Sequence, residues 1–146
     1  MVARGLLLAG LFLSPSRAFF QQHGSGSDNI DVLVANAGCG GGRAALETTE
    51  IESFDRQFAT NVKGVYLFIR AVLPSMKSQR HGQIVVTSSV AGIRAVANGA
   101  IYCSTKWAVE GMVRSLREEL KGTGVKAATI NPGPVATKWW DEEARG

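Results

Sequence analysis

Residues 30–42 are IDVLVANAGCGGG. The opening IDVLVA is mostly apolar and rich in β-branched residues, which predicts a strand buried in a parallel sheet. The glycine-rich NAGCGGG that follows predicts a loop at the carboxyl end of that strand. Residues 84–87 (IVVT) and 125–130 (VKAATI) have the same strand character. The sequence therefore predicts three buried strands.

Helical patterns separate these predicted strands. Apolar side chains recur every three or four positions over residues 54–72, which predicts a helix with one apolar face. Thr49 and Glu52 have the capping-box spacing expected at its start. Pro74 is expected to break or kink the helix, and Gly82 to follow its end.

A second helix is predicted over residues 102–121, where Gly122 and Gly124 stop it. The element order is therefore β-α-β-α-β. Because crossovers between parallel strands are right-handed, this order predicts an α/β fold. The expected architecture is a partial Rossmann-like, doubly wound sheet with three main parallel strands. The folded domain is expected to span residues 29–146.

The composition excludes a disordered tail, a collagen-like fibre and a disulfide scaffold. The chain has 146 residues, of which 45% are hydrophobic and 19% are charged, values typical of one globular domain. The formal net charge of +4 is scattered, so no nucleic-acid partner is predicted. His23 and His81 stand apart from any cysteine or carboxylate cluster, and no metal site is predicted. Cys39 and Cys103 are expected to be reduced thiols.

The amino-terminal sequence, MVARGLLLAGLFLSPSRAFF, allows two interpretations. Three features together match a signal or targeting peptide: Arg4, the apolar run at residues 6–13, and Ser16-Arg17-Ala18 as a cleavage site of the A-x-A type. The same apolar run would also suit a buried strand or helix of the domain. It is too short to cross a bilayer, so no stable membrane span is expected. The polar stretch QQHGSGSD at residues 21–28 follows it, so residues 1–28 are a candidate targeting peptide with a linker. If the amino-terminal segment is not a cleaved targeting peptide, a cytoplasmic protein is expected.

Polar side chains that can carry chemistry follow the predicted strands. Ligands bind at the carboxyl ends of parallel strands, and Asn36, Ser89 and Asn131 each follow such an end. Tyr102 and Lys106 are four positions apart, so they share a helix face. An ammonium group beside a phenol lowers the phenol pKa from about 10 and favours proton transfer at neutral pH. Tyrosine, lysine and serine in one crevice therefore predict proton transfer to or from an alcohol or a carbonyl.

A set of motifs runs in order along residues 30–140: N-A-G at 36–38, N-V-K-G at 61–64, T-S-S-V-A-G at 87–92, Y-C-S-T-K at 102–106 and N-P-G-P-V-A-T at 131–137. This set resembles the short-chain dehydrogenase/reductase family. The resemblance implies hydride transfer between a nicotinamide cofactor, NAD or NADP, and a small-molecule alcohol or carbonyl substrate.

The resemblance also implies a role for each residue of a proton relay. Tyr102 would be the general acid/base that exchanges a proton with the substrate oxygen. Lys106 would lower the pKa of that phenol and hydrogen-bond the nicotinamide ribose. Ser89 would orient the substrate carbonyl and stabilise its developing charge. Asn61 would hold a water molecule behind Lys106.

Further residues would bind the cofactor, as the resemblance implies. Asn36, Ala37 and Gly38 would line the adenosine side of the pocket. Tyr102 and Lys106 would also bind the cofactor, Lys106 through the nicotinamide ribose. The remaining predicted contacts wrap the nicotinamide end and are Pro132, Gly133, Val135 and Thr137. Thr137 would hydrogen-bond the carboxamide.

The sequence departs from the family pattern in its first part. Family members begin with a strand and a glycine-rich turn, T-G-x-x-x-G-x-G, that holds the cofactor pyrophosphate, and no such turn precedes residue 30. Residues 38–42 do not complete G-x-G-x-x-G and are interpreted as an extended strand-exit loop. Ala35 stands where the family usually has asparagine. The sequence is therefore interpreted as a family domain truncated at both ends.

Two functional hypotheses follow. The first is an NAD(P)-dependent oxidoreductase whose relay is Asn61, Ser89, Tyr102 and Lys106. The second is a catalytically inactive fragment that binds a full-length relative. The family pairs subunits through the two long helices, so the resemblance also implies a homo- or hetero-oligomer formed through these helices.

Overall fold

A parallel sheet organises the chain. The computed structural model describes the backbone of residues 6–9 and the whole of residues 30–135. The strands of this sheet are β1 (Leu6–Ala9), β2 (Val32–Ala35), β3 (Gly82–Thr87) and β4 (Val125–Ile130). All neighbouring pairs are parallel, and the order across the sheet follows the order along the chain. The predicted α/β fold and its three main strands are confirmed.

β1 adds a further strand beside β2, with Leu6 opposite Val32 and Ala9 opposite Ala35. This pairing agrees with the interpretation of the amino-terminal apolar run as a strand of the domain. The rest of the candidate targeting peptide and linker, residues 1–28, lies outside the described residues. Its cleavage therefore stays a prediction.

The helical elements connect the strands. They are α1 (Ile51–Phe58), a π-helical turn (Ala59–Gly64), α2 (Val65–Ser78) and α3 (Ala100–Glu119), with short 3-10 turns at Leu46–Thr48 and Val90–Gly92. The first predicted helix is therefore interrupted by a π-helical turn. Of the two effects expected of Pro74, a break or a kink, the break does not occur, because α2 continues past it to Ser78. Val72 and Met76 on either side of Pro74 are buried in the core, and this packing offsets the lost backbone donor.

The predicted capping box is also absent. The hydroxyl of Thr49 donates to the carbonyl of Ala45 at 3.0 Å, so it is directed away from the first turn of α1. Glu50 is the residue that precedes α1, and its side chain makes no capping hydrogen bond.

Gly82 does not follow the end of α2 as predicted, since it is the first residue of β3. A Cβ atom at Gly82 would lie 2.6 Å from Met76 Sδ, so the glycine is required for close packing of α2 against the sheet. The residue that reverses the chain after α2 is Arg80, which has a positive φ of 51°.

Both long helices pack on one face of the sheet. The alternating residues of β2 and β3 and the buried faces of α2 and α3 form one apolar core. Its members are Leu33, Ala35, Val65, Ile69, Val72, Met76, Ile84, Val86, Val109, Val113, Leu116, Leu120 and Val125. The carboxyl ends of the strands are thereby held in fixed positions beside α3.

The outward faces of these helices carry large side chains. Tyr66 on α2 is 47% exposed and Trp107 on α3 is 51% exposed. Association through these helices stays a prediction. Within residues 30–135, no helix is long and apolar enough to cross a membrane.

Candidate active site

Three strand exits meet at the carboxyl edge of the sheet. Asn36 directly follows β2, Ser88 directly follows β3 and Asn131 directly follows β4. Neighbouring exits are joined by hydrogen bonds. Thr87 Oγ1 donates to Asn36 Oδ1 at 2.8 Å, and the Ser88 N–H donates to the carbonyl of Ile130 at 2.8 Å. The three strand exits named in the sequence analysis are thus joined into one connected set of loops.

Helix α3 brings Tyr102 and Lys106 to this edge. The Lys106 Nζ atom lies 5.6 Å from the centre of the Tyr102 ring, as expected for residues one turn apart on one face. The same Nζ atom donates to the backbone carbonyl of Thr87 at 3.0 Å. This bond holds the ammonium group at the carboxyl end of β3, next to the strand exits.

The environment of Lys106 changes its acidity. The residue is only 4% exposed, and burial of the ammonium group lowers the pKa of Lys106 from 10.5 to about 8. An electrostatic interaction with Cys39 acts in the opposite direction and offsets part of this effect. Lys106 therefore stays mainly protonated at neutral pH but lies close to its titration range.

Ser89 lies on the exit from β3. Its Oγ atom accepts a hydrogen bond from the Ala91 N–H at 3.1 Å, at the start of the short turn Val90–Gly92. Accepting this bond uses a lone pair of the hydroxyl and not its hydrogen. The side chain is therefore oriented by the backbone while its O–H can still donate to a ligand oxygen.

Asn61 occupies the π-helical turn and is 1% exposed. Its Oδ1 accepts from the Cys39 N–H at 2.8 Å, and its Nδ2 donates to the Cys39 carbonyl at 2.9 Å. Nδ2 also donates to Thr105 Oγ1 at 3.1 Å. Thr105 precedes Lys106, so Asn61 joins the exit from β2 to α3. π-Helical turns within α-helices often occur at functional sites.

The predicted cofactor contacts on the strand exits differ in exposure. Asn36 is exposed and Ala37 and Gly38 are partly buried. Pro132, Gly133 and Val135 are exposed on the exit from β4. Thr137 lies outside the described residues. Roles in binding for all of these residues stay predictions.

Sequence reasoning missed two buried side chains of the site, Thr105 and Glu110. Glu110 is 4% exposed, and its carboxyl oxygens accept hydrogen bonds from Asn131 Nδ2 at 2.7 Å and Thr129 Oγ1 at 3.2 Å. Its position one helical turn after Lys106 is the only signal of its location that the sequence offers. The sequence does not reveal which strand exit such a side chain would meet.

The sequence of this chain is similar to known proteins. The family model for "short chain dehydrogenase" matches residues 15–146. The chain is 40% identical over 110 residues to retinol dehydrogenase 8 of Bos taurus, which covers 75% of this chain and 35% of that protein.

Solved structures give the same result. The closed form of serine dehydrogenase complexed with NADP+ superposes with a TM-score of 0.85 and 33% identity, covering 93% of this chain and 56% of the other. NAD+-bound xylitol dehydrogenase superposes with a TM-score of 0.73 and 29% identity. The superposition covers 78% of this chain and 45% of the other. The chain thus spans about a third to somewhat more than half of the length of these proteins. Family match, sequence identity and fold agree, and the chain belongs to the short-chain dehydrogenase family.

Proposed function

We propose that residues 30–135 form the catalytic part of an NAD(P)-dependent oxidoreductase that interconverts an alcohol and a carbonyl. The observation that carries this proposal is the environment of Lys106. Its ammonium group is buried beside the Tyr102 ring and bonded to the Thr87 carbonyl, at the edge where the strand exits meet. A buried cation next to a phenol is an arrangement that favours the phenolate.

The donor set suits the ribose of a nicotinamide nucleotide. An ammonium group has three N–H donors, and the Thr87 carbonyl takes one of them. The remaining donors of Lys106 would hold the ribose hydroxyls, while Asn36 and the exit from β4 would line the two ends of the cofactor. When bound, the nicotinamide ring would supply or accept the hydride.

The protein's own groups would handle the proton and the substrate oxygen. Tyr102 would donate a proton to the developing alkoxide during reduction and remove it during oxidation. Lys106 would stabilise the phenolate left behind. Ser89, oriented by the Ala91 N–H, would donate its hydrogen to the same substrate oxygen. Asn61 would keep the Cys39 loop and α3 in register and hold the relay water that the resemblance implies.

The substrate class is supported by the names of similar proteins. Retinol dehydrogenase 8, serine dehydrogenase and xylitol dehydrogenase are named for hydroxyl-bearing small molecules. Similar structures contain NADP+ or NAD+, so both cofactors are proposed as candidates.

Cofactor binding is the direct test. The purified chain is titrated into NADH and into NADPH while the nicotinamide fluorescence is recorded, and a saturable change is expected for at least one of them. Turnover is then assayed with retinol, L-serine and xylitol. Lys106→Met is expected to weaken nucleotide binding by about tenfold or more, the loss of a charge-assisted hydrogen bond.

Lys77→Met is the matched control. Lys77 is an exposed lysine in the last turn of α2, which leads into the amino end of β3 and not into a strand exit, and its loss removes the same charge. If neither nucleotide changes its fluorescence, or if both lysine variants weaken binding equally, the proposal is wrong.

A further inference from the structure

Glu110 connects helix α3 to β4 and to the exit from that strand. Its Oε1 accepts from Asn131 Nδ2 at 2.7 Å and its Oε2 from Thr129 Oγ1 at 3.2 Å. Arg114 Nη2 lies 3.7 Å from Oε2 and provides a positive charge on the same helix. Every one of these partners lies on α3, on β4 or directly after β4.

The amide of Asn131 extends this connection to Ser89. Its Nδ2 also donates to the backbone carbonyl of Ser89, at 3.1 Å. An amide –NH2 has two hydrogens, so one can bond to Glu110 and the other to Ser89. The side chain of Asn131 therefore bridges α3 and the exit from β3.

Backbone contacts also connect the exit from β3 to the exit from β4 and to α3. The Val90 N–H donates to the Pro132 carbonyl at 3.0 Å, which joins the exits from β3 and β4. A Cβ atom at Gly92 would lie 3.2 Å from Glu110 Cγ and 3.1 Å from the Lys106 carbonyl, so the Ser89 loop packs directly on α3. The buried side chain of Glu110 therefore packs closely against Gly92.

We propose that Glu110 is a positioning residue for the relay. It holds the Asn131 amide, which in turn sets where Ser89 lies relative to Tyr102 on α3. The proposal rests on the proposed function, because the distance between Ser89 and Tyr102 matters only if both act on one substrate oxygen. Misplacing a reacting group by about 1 Å can cost about 10²-fold in rate.

Kinetics test this inference in the full chain. Glu110→Ala removes both acceptors and is expected to lower kcat by about 10²-fold with little change in KM for the nicotinamide nucleotide. Glu110→Gln keeps an acceptor for Asn131 and should lose much less. Glu118→Ala is the matched control, because Glu118 is an exposed glutamate on the same helix that pairs with Lys121.

A swap of donor and acceptor separates positioning from stability. Asn131→Asp alone places two carboxyl groups together and should destabilise the chain. In Glu110→Gln/Asn131→Asp, the glutamine can donate to the aspartate, so the melting temperature should recover. The aspartate cannot donate to the Ser89 carbonyl, so kcat should stay low. Full recovery of kcat in the swap, or an unchanged kcat in Glu110→Ala, would overturn the proposal.

Hydrogen exchange provides a readout that does not need turnover. Glu110→Ala should accelerate exchange at the Val90 and Ala91 amides, which are bonded to Pro132 and Ser89, and leave the amides of β2 unchanged. If the wild-type chain binds nucleotide but turns over no substrate, the proposed function fails, whereas the exchange result still decides the role of Glu110. Equal exchange in Glu110→Ala and Glu118→Ala would refute it.

Discussion

The ammonium group of Lys106 donates a hydrogen bond to the backbone carbonyl of Thr87, with the two atoms 3.0 Å apart. Thr87 is the last residue of β3, which lies between β2 and β4 in the sheet. The bond therefore attaches the side of α3 that bears Tyr102 to an interior strand at its carboxyl end. It also keeps a cation in a buried position, where the charged form is disfavoured.

Stability should rise with pH because of Lys106. Its pKa is lowered from 10.5 in the unfolded chain to about 8 in the fold, so the unfolded state binds more protons between these pH values. The sign of the linkage is therefore positive: the free energy of unfolding gains about 3 kcal/mol from this group across that window.

Urea unfolding at a series of pH values measures this effect. Lys106→Met should remove the gain, and Lys77→Met should retain it. A pH dependence in Lys106→Met equal to that of the wild type would contradict the assignment of the effect to this buried cation.

Asn61→Ala should destabilise the fold. The substitution leaves the partly buried N–H and carbonyl of Cys39 without their side-chain partner and also removes the bond to Thr105, at an expected cost of about 2–4 kcal/mol. Thr105→Val removes the bond that Thr105 Oγ1 accepts from Asn61 and the bond that it donates to the Tyr102 carbonyl at 2.8 Å, and should cost about 1–2 kcal/mol. Urea unfolding gives both values; equal losses in the two variants would show that the Cys39 contacts contribute little.

Tyr102→Phe should remove most of the turnover. The change deletes the phenol oxygen that exchanges the proton, and general acid/base groups contribute about 10²–10⁴-fold. Nucleotide binding measured by fluorescence should change far less than kcat. Tyr66→Phe, at an exposed tyrosine of α2, is the control and should keep the full rate. Wild-type turnover in Tyr102→Phe would mean that another group carries the proton.

Two glycines should respond to alanine in opposite directions. Gly124 has a φ of +84°, and a Cβ there would lie 2.0 Å from the carbonyl oxygen of Arg80, so Gly124→Ala should cost about 1–3 kcal/mol or more. Gly111 is exposed in α3 with no atom within 4 Å of an added Cβ, so Gly111→Ala should stabilise by about 0.5–1 kcal/mol. Thermal unfolding tests both signs; a shift in the same direction would be inconsistent with these backbone conformations.

Strand and helix identity could largely be predicted from local pattern. The run VKAATI is a strand with the predicted bounds, Val125–Ile130, and the second helix differs from its prediction by two residues at each end. Hydrophobic periodicity carries this information, because each element must bury its own apolar side chains.

Local rules failed where packing decided the outcome. Pro74 is accommodated inside α2, and Gly82 is the first residue of β3, where Met76 occupies the space that a side chain would need. Thr49 bonds backward to Ala45 and not forward into α1. Each of these outcomes depends on packing between elements or on a competing backbone partner, and the residue preferences of a short window do not reveal these.

The sequence by itself determined the alternation of strands and helices and the presence of Tyr102 and Lys106 on one helix face, because both follow from the repeat of the helix and strand backbones. Only the tertiary structure decided the neighbours of that face. Thr87 accepts a bond from Lys106 on that face, Asn61 bonds to the adjacent Thr105, and Glu110, one turn further along α3, accepts from Asn131. These hydrogen bonds exist only once the elements are packed together. Burial by the same packing is what lowers the pKa of Lys106, since desolvation is a property of the assembled core and not of the residue.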